Sequence, residues 1–491
     1  MKILMVTAEA VPFAKTGGLA DMVSALAIQL TKMGHDVKIV LPRYYKIDRK
    51  KLTLIPGAMA VAAGQTEAWT AVYTTTMPGC EELPVYFIDH EQAYGRDGVY
   101  GVAGETDFHD NPYRFSLLAH AAFQLCRKLG WYPDIMHCHD WSTGLVPVLL
   151  KNVCRFCGFE KTASVLTIHN QGYQGQYSKD SFPALGIDWG LYYGAGFEHQ
   201  GGINFLQAGV SCADMITTVS PTYAKEIQTS EGGFGMDGLL RVRSDVIKGI
   251  LNGADLRQWN PVTDKKIPFN YSSKDFSGKA KCKTELQKKM GLEVNPDIPL
   301  IGIVTRLVDQ KGIAEVFAPT YGSIYNICTS MNVQFAILGS GESWCENEIR
   351  TLQSKLPNMR AFIGYDDALS HLIEAGSDFF LMPSKYEPCG LNQIYSMLYG
   401  TLPIVRKTGG LADTVENYNQ ETGEGTGFVF ENLTPSAVYN TVGWAVWTYY
   451  NKKDHLRKMQ LAGMNKTFGW DEAADKYLEV YREALARGCG L

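Results

Sequence analysis

The chain has 491 residues, of which 45% are apolar and 20% are charged, and its formal net charge at pH 7 is -5. This length exceeds what one hydrophobic core supports and predicts two large domains. The negative charge gives no electrostatic basis for nucleic-acid binding, and no apolar run reaches the ~18 residues needed to cross a bilayer. We therefore expect neither nucleic acid nor a membrane among its partners.

The N-terminus runs directly into an apolar stretch, with no signal-like segment or small-residue cleavage site, and the 11 cysteines are scattered along the chain. An odd number of dispersed cysteines in a large chain is typical of reduced thiols rather than of a disulfide framework. These features predict a cytoplasmic location.

In chain order, short runs rich in Val, Ile and Leu alternate with helical patterns. The first half predicts strands at 3–7, 37–41, 84–88, 135–137, 164–168, 215–219 and 247–251. The second half predicts strands at 300–304, 334–338, 360–363, 379–382 and 402–405. Continuous apolar strands between helices indicate parallel sheets covered on both faces, which is the doubly wound α/β arrangement.

The alternation breaks between about 255 and 277, where Pro261, Pro268 and polar residues predict an irregular connection. We place the domain boundary at Gly253, which predicts a first domain at 1–253 and a second at 254–469. Three helical patterns without intervening strands end the chain, at 435–450, 453–464 and 471–486. They are expected to pack back towards the first domain, and the segment of about 470–491 is assigned to it.

A glycine pair follows the first predicted strand, in the sequence Lys-Thr-Gly-Gly-Leu-Ala-Asp at 15–21. Gly17 and Gly18 can adopt positive φ and admit a ligand close to the backbone, while Lys15 adds a positive charge beside a helix start. The same seven residues recur at 407–413. We interpret the repeat as two related α/β halves that each place a Gly-Gly turn near one cleft; glycines required only for chain geometry are the alternative.

Two cations follow the predicted strand at 301–305. Arg306 ends this strand, and Lys311 lies in the next turn before Gly312. A guanidinium and an ammonium at one sheet edge suit a diphosphate, and a solvated pair of loop charges is the alternative.

Glu387 follows the strand at 379–382 and is held by Pro388. Its carboxylate is well placed to contact a sugar hydroxyl or a developing cation, although an acid that only complements a helix dipole is the alternative. We expect Cys389, Gly390 and Leu391 to open the next helix, so that their N–H groups can hold phosphate. Taken alone, Cys389 would be a small buried apolar residue.

Together these motifs resemble the bacterial glycogen synthases and plant starch synthases. The resemblance extends from Met1 to about Trp470 and includes the segments at 139–141, 169–170, 219–223 and 251–253. It implies the GT-B fold, in which two Rossmann-like domains face each other across a deep cleft. It also implies transfer of glucose from ADP-glucose to the non-reducing end of an α-1,4-glucan, such as glycogen or a maltooligosaccharide. The family retains the anomeric configuration and uses no metal or other cofactor.

Residue by residue, the resemblance places Lys15, Arg306 and Lys311 at the diphosphate, Glu387 and His169 at the glucose, and Tyr365 against the adenine. The predicted catalytic residues are Glu387, His169, Asp140, Lys15, Arg306 and Lys311. The predicted substrate-binding residues are Lys15, Gly17, Gly18, Asp21, Asn170, Asn252, Arg306, Lys311, Tyr365, Cys389, Gly390 and Leu391. No metal site is predicted. A zinc site needs four ligands, and the chain offers one C-x-x-C pair, Cys154 and Cys157, and separately the histidines His137 and His139.

Two positions depart from the wider pattern. Tyr395 occupies the place of a second glutamate found in many retaining GT-B enzymes, and Gln207 replaces a lysine found in many relatives. Two further hypotheses remain open: a GT-B enzyme that uses UDP-glucose or another acceptor, and a catalytically silent glucan-binding protein. The intact cations argue against the silent binder. Aromatic residues between 173 and 197 predict either an acceptor surface or a small core.

Overall fold

The computed structural model describes residues 1–102 and 107–488. The chain divides into two compact units: the first comprises Met1–Gly253 together with the segment that begins at Trp470, and the second comprises Ala254–Gly469. The last three residues of the predicted terminal segment lie outside the described residues. Among the described helices, none combines the length and the apolar character needed to cross a bilayer.

In its described residues, the first unit is built on a nine-stranded sheet with the order β12-β11-β7-β6-β1-β2-β5-β4-β3. Its strands are β1 (Lys2–Val6), β2 (Asp36–Pro42), β3 (Thr53–Ala63), β4 (Thr66–Met77), β5 (Cys80–Asp89), β6 (Ile135–His139), β7 (Ala163–Ile168), β11 (Met215–Thr218) and β12 (Ile247–Gly249). The short strands β8 (Gln176–Tyr177), β9 (Glu198–His199) and β10 (Gly202–Asn204) form a separate small sheet. The chain moves outward in opposite directions from β1 and β6, so their carboxyl ends form a switch point, where such sheets bind ligands.

One edge of this sheet corrects the prediction of a purely parallel arrangement. β4 pairs antiparallel with both β3 and β5, whereas the strands from β5 to β12 along the sheet pair in parallel. Burial alternates along β4 because only one of its faces is covered. β3 and β4 lack the continuous apolar run that predicts a buried strand, so neither was predicted.

The helices of the first unit are α1 (Gly18–Lys32), α2 (Glu91–Tyr94), α3 (Asn111–Leu129), α4 (Leu145–Leu149), α5 (Leu191–Gly194), α6 (Phe205–Cys212), α7 (Pro221–Glu226) and α8 (Asp237–Val242). The C-terminal helix (Trp470–Gly488) also belongs to this unit. Gln29 of α1 donates to Asp471 at 2.6 Å, and the hydroxyl of Tyr481 lies 2.8 Å from His137 Nδ1 beneath the sheet. The C-terminal helix thus packs against β6.

The second unit contains a six-stranded, all-parallel sheet with the order β15-β14-β13-β16-β17-β18. Its strands are β13 (Leu300–Leu307), β14 (Gln334–Gly341), β15 (Met359–Ile363), β16 (Phe379–Met382), β17 (Leu402–Arg406) and β18 (Phe428–Phe430). Counted within the unit, this order is 3-2-1-4-5-6, the arrangement of dinucleotide-binding folds. Its switch point lies between β13 and β16.

The helices of the second unit are α9 (Ser277–Met290), α10 (Ile313–Phe317), α11 (Ser323–Ser330), α12 (Ser343–Lys355), α13 (Asp367–Gly376), α14 (Asn392–Leu398), α15 (Gly409–Thr414), α16 (Pro435–Asn451) and α17 (Lys453–Met464). The prediction that α16 and α17 pack towards the first domain is wrong. Val438, Val442 and Leu456 belong to the core that covers Phe428 and Phe379 of the second sheet.

Candidate active site

A cavity of about 210 Å³ opens at the carboxyl ends of β13 and β16 in the second unit. Apolar side chains of β13, β16 and α10 form part of its wall, among them Ile303, Val316 and Leu381. Polar groups line the remainder: Thr305, Arg306, Lys311, Ser384, Glu387 and Asn392. An apolar wall with a few convergent polar groups is the usual composition of a small-molecule site.

The loops that follow β13 and β16 are tied together. The backbone N–H of Lys385 donates to Gln310 O at 2.9 Å, and Gln310 Nε2 donates to Tyr386 O at 3.3 Å. Gly312 has φ of +68°, and a Cβ there would clash with the carbonyl oxygen of Pro383. Glycine is therefore required where the two loops touch, and the contact fixes the residues on either side of it.

The polar groups of the cavity combine one paired and one unpaired cation. Lys311 Nζ donates to Glu387 Oε2 at 2.5 Å, and Ser384 Oγ donates to the same oxygen at 2.9 Å, so the carboxylate is held by two donors. Both Lys311 and Glu387 are largely buried. The guanidinium of Arg306 makes no ion pair or hydrogen bond with any residue that the structure describes. Its positive charge is therefore available to an anion.

Four further predicted residues differ in their placement. Gly390 and Leu391 line the cavity, whereas Cys389 is buried and does not line it. Helix α14 begins at Asn392, so residues 389–391 form the preceding loop and do not open the helix as expected. Tyr365 follows β15, is 84% exposed and is not part of the cavity wall.

In the first unit, Gly17 and Gly18 form an open turn. Gly17 is extended, with φ of −152°, and helix α1 begins at Gly18, so neither residue uses positive φ. A Cβ at either position would meet no atom of the described chain within 4 Å. The fold itself does not require glycine here, and the exposed backbone remains open to a close ligand. Lys15 beside it pairs with Asp21 at 2.8 Å.

Glu9 lies three residues beyond β1, which ends at Val6, and its carboxylate holds this turn; it was not predicted. Its carboxylate accepts from the backbone of Thr16, from Thr16 Oγ1 at 2.7 Å and from Gly17 N at 3.3 Å. The hydroxyl of Tyr100 donates to it at 2.8 Å. The signal that could have revealed Glu9 is an acidic residue directly beyond the carboxyl end of a central strand.

Asp140, His169 and Asn170 converge at the carboxyl ends of β6 and β7. Asp140 Oδ1 accepts from the backbone N–H of His169 at 2.6 Å and of Asn170 at 3.4 Å. His169 Nε2 lies 3.2 Å from His139 Nδ1. Asp140 has φ of 57° and ψ of −171°, an unfavourable conformation for a non-glycine residue, and such strain clusters at functional sites.

Burial controls the protonation of these groups. It raises the pKa of Asp140 to about 7, against the effect of the two backbone N–H donors, and the nearby charge of Glu9 also raises this pKa. Burial lowers the pKa of His169 to about 3 and that of His137 to about 3. The imidazole of His169 is therefore neutral at pH 7 and acts as a hydrogen-bonding group rather than a cation.

The other positions singled out in the sequence have defined surroundings. Asn252 is buried, and its Oδ1 has no hydrogen-bond partner in the described part of the chain. Gln207 donates to the carbonyls of Gly196 and Glu198 at 2.8 and 2.7 Å, so it holds a loop. Tyr395 stacks on Trp259 with ring centroids 3.9 Å apart. Both departures from the family pattern therefore have local structural roles.

The aromatic residues between 173 and 197 divide between the two hypotheses. Phe182, Tyr192 and Phe197 are buried and pack together, whereas Tyr173, Trp189 and Tyr193 are exposed. Across residues 1–102 and 107–488 no group of three or more His, Cys, Asp and Glu side chains is arranged to hold a metal ion.

Two known protein families match the sequence of this chain. The family described as "Starch synthase catalytic domain" matches residues 2–242, and "Glycosyl transferases group 1" matches residues 285–446. The chain is thus a glycosyltransferase. It is 61% identical to a glycogen synthase of Treponema denticola over 99% of both chains, and 44% identical to glycogen synthase 1 of Geobacter metallireducens over 100% of this chain and 97% of that one.

The catalytic domain of starch synthase IV from Arabidopsis thaliana superposes with a TM-score of 0.89 at 32% identity, over 99% of each chain. The protein belongs to the family of bacterial glycogen synthases and plant starch synthases and has their GT-B fold.

Proposed function

We propose that this protein transfers glucose from ADP-glucose to the non-reducing end of an α-1,4-glucan, with retention of configuration and without a divalent metal. The observation that carries the proposal is the free guanidinium of Arg306 beside the Lys311–Glu387 pair at the switch point of the second sheet. The family membership of the protein supports ADP-glucose as the donor. The starch synthase IV structure, which was solved with ADP and acarbose, supports it too.

The charges of the cavity suit a reaction whose leaving group is anionic. In the free protein Lys311 neutralises Glu387, so Arg306 supplies net positive charge for a diphosphate. Departure of the nucleoside diphosphate increases the charge on its terminal phosphate, and a fixed cation stabilises that transition state more than the ground state. Glu387 is held by Ser384 and Lys311, and we propose that its carboxylate stabilises an oxocarbenium-like sugar.

No second carboxylate lies among the polar side chains of this cavity in the described residues. We therefore propose attack on the same face of the sugar from which the diphosphate departs. The acceptor hydroxyl loses its proton to the departing phosphate oxygen as the new glycosidic bond forms. This route retains the configuration without a covalent sugar–enzyme intermediate.

Residues of the first unit are proposed to contribute to the same reaction. His169 is neutral, so it can exchange hydrogen bonds with sugar hydroxyls without placing a positive charge beside the oxocarbenium. Lys15 and the open backbone at Gly17 and Gly18 offer a second anion contact. The proposal therefore expects substitutions in either unit to lower turnover.

The decisive experiment measures incorporation of labelled glucose into glycogen from ADP-glucose and, separately, from UDP-glucose. We expect ADP-glucose to be the better donor and Arg306→Ala to lower kcat/KM by about 30- to 1000-fold, as for the loss of one oxyanion-type donor. The matched control is Arg350→Ala, which removes an exposed arginine that pairs with Glu346 within α12.

The two alternative functions give different results in this experiment. Preference for UDP-glucose would identify a transferase with another donor. Tyr365 does not distinguish the two donors, because a tyrosine can stack on either base. Binding of glycogen without transfer from either donor would identify a silent glucan-binding protein.

A further inference from the structure

A second concave surface lies in the second unit, between the loop before α11, helix α11 itself and the first turns of α16. This groove has a volume of about 460 Å³ and shares no lining residue with the donor cavity. It is lined by Tyr321, Ser323, Asn326, Thr329, Ser330, Pro435, Ser436 and Tyr439. None of these side chains carries a charge at pH 7, and five of the eight are hydroxyl-bearing Ser, Thr or amide-bearing Asn.

Ser323 supplies an unused hydrogen-bonding group in the groove. Its side chain is 2% exposed, and its Oγ has no partner within the described residues. A buried hydroxyl that stays unpaired costs free energy, so such a group in a native protein requires an explanation. A ligand hydroxyl in the groove would provide the missing partner.

Tyr321 supplies an aromatic surface at the same place. It is 57% exposed although it is a large and partly apolar side chain. The hydroxyls of Ser330 on α11 and Tyr439 on α16 lie 3.0 Å apart and link the two helices. The groove therefore combines an exposed ring with hydroxyls from both helices.

We propose that this groove binds a segment of the α-1,4-glucan outside the donor site and so anchors the polymer; the identity of the glucan rests on the proposed function. An uncharged polyhydroxylated chain matches the groove in three respects: the absence of charge, the density of hydroxyls and the exposed aromatic face on which a sugar ring can pack. A glucan polymer is also long enough to occupy two sites at once, which raises its apparent affinity by effective concentration.

The test uses the full chain, retention in native gels that contain glycogen without any donor, and turnover on maltotriose. Tyr321→Ala and Ser323→Ala should each weaken retention, Tyr321→Ala by about fivefold, while turnover on maltotriose stays at the wild-type value because this acceptor is too short to gain from a second site. The matched control is Tyr325→Ala, since Tyr325 lies on α11, is 50% exposed and does not line the groove.

Circular dichroism of each variant verifies that it is folded. Wild-type retention of both groove variants, or an equal loss with Tyr325→Ala, overturns the proposal. If no donor supports transfer but the groove variants still release glycogen, the proposed function fails and the anchor stands. If transfer from ADP-glucose is normal and retention is unchanged, the anchor alone fails.

Discussion

The two copies of Lys-Thr-Gly-Gly-Leu-Ala-Asp have the same sequence but different surroundings. In the copy at 15–21 the glycines are exposed, and a Cβ would meet no described atom within 4 Å. In the copy at 407–413 the glycines are buried: Gly409 has φ of +43°, and a Cβ at Gly410 would clash with the carbonyl oxygen of Cys389. Gly410 N also donates to Glu387 O at 3.1 Å.

The difference separates two reasons for glycine. The second copy packs against the loop that carries Glu387, so its glycines serve the fold, which is the alternative of glycines required for chain geometry. The first copy gives the fold no comparable reason for glycine, which leaves access for a ligand as the explanation.

The largest expected effect concerns the lysine that opens each copy. Lys15→Ala should lower kcat/KM by about 2–4 kcal/mol of transition-state stabilisation, because its charge is expected at the diphosphate. Lys407→Ala should change kcat/KM by less than about 0.5 kcal/mol, since Lys407 is exposed and pairs only with exposed Glu431 among the described residues. Steady-state kinetics of both variants with the same donor decide the matter, and similar losses would remove the distinction between the copies.

The next effect concerns stability. Gly410→Ala should lower the free energy of unfolding by about 1–3 kcal/mol, because the added methyl group overpacks a buried contact with the Glu387 loop. Gly18→Ala, at the exposed start of α1, should change it by no more than about 0.5 kcal/mol. Urea unfolding of the two variants provides the measurement. A destabilised Gly18→Ala would show that the first copy also has a structural role.

A smaller effect extends the comparison to Asp140. The folded-state pKa of about 7 lies above the ordinary aspartate value, so the folded protein binds the proton more tightly and loses stability as pH rises from about 4 to 7. Asp140→Asn keeps the acceptor for His169 N and removes this loss. We expect a gain of about 1–2 kcal/mol in the free energy of unfolding at pH 8, together with reduced turnover.

The control for this prediction is unfolding at pH 4, where the gain should vanish because Asp140 is largely protonated in the folded wild-type protein. A variant that is less stable than wild type at pH 8 would show that the carboxylate stabilises the fold.

The smallest expected effect is that of chelation. Excess EDTA should leave turnover unchanged within about 20%, because side chains and backbone N–H groups are assigned all of the diphosphate charge. The measurement is glucose incorporation before and after chelation, followed by addition of magnesium or manganese. Loss of activity that either ion restores would contradict the metal-free mechanism.

The sequence determined the central parallel strands, because buried strands between helices leave a continuous apolar run that is legible without tertiary information. It also placed Arg306, Lys311 and Glu387 at strand ends, and the structure brings them together because β13 and β16 are neighbours. It did not reveal β3 and β4, because each is covered on one face only and its sequence has no continuous apolar run.

Only the tertiary structure decided which identical motif is open and which is packed, because seven residues do not encode what lies against them. Neither partner belongs to the repeated motif: Glu9 precedes the first turn, and the Glu387 loop precedes the second. The same holds for the pKa of Asp140 and the unpaired hydroxyl of Ser323, since both depend on burial among residues from separate elements. Residue identity supplies the chemical groups, and packing determines the solvent, partners and charge state that each of them has.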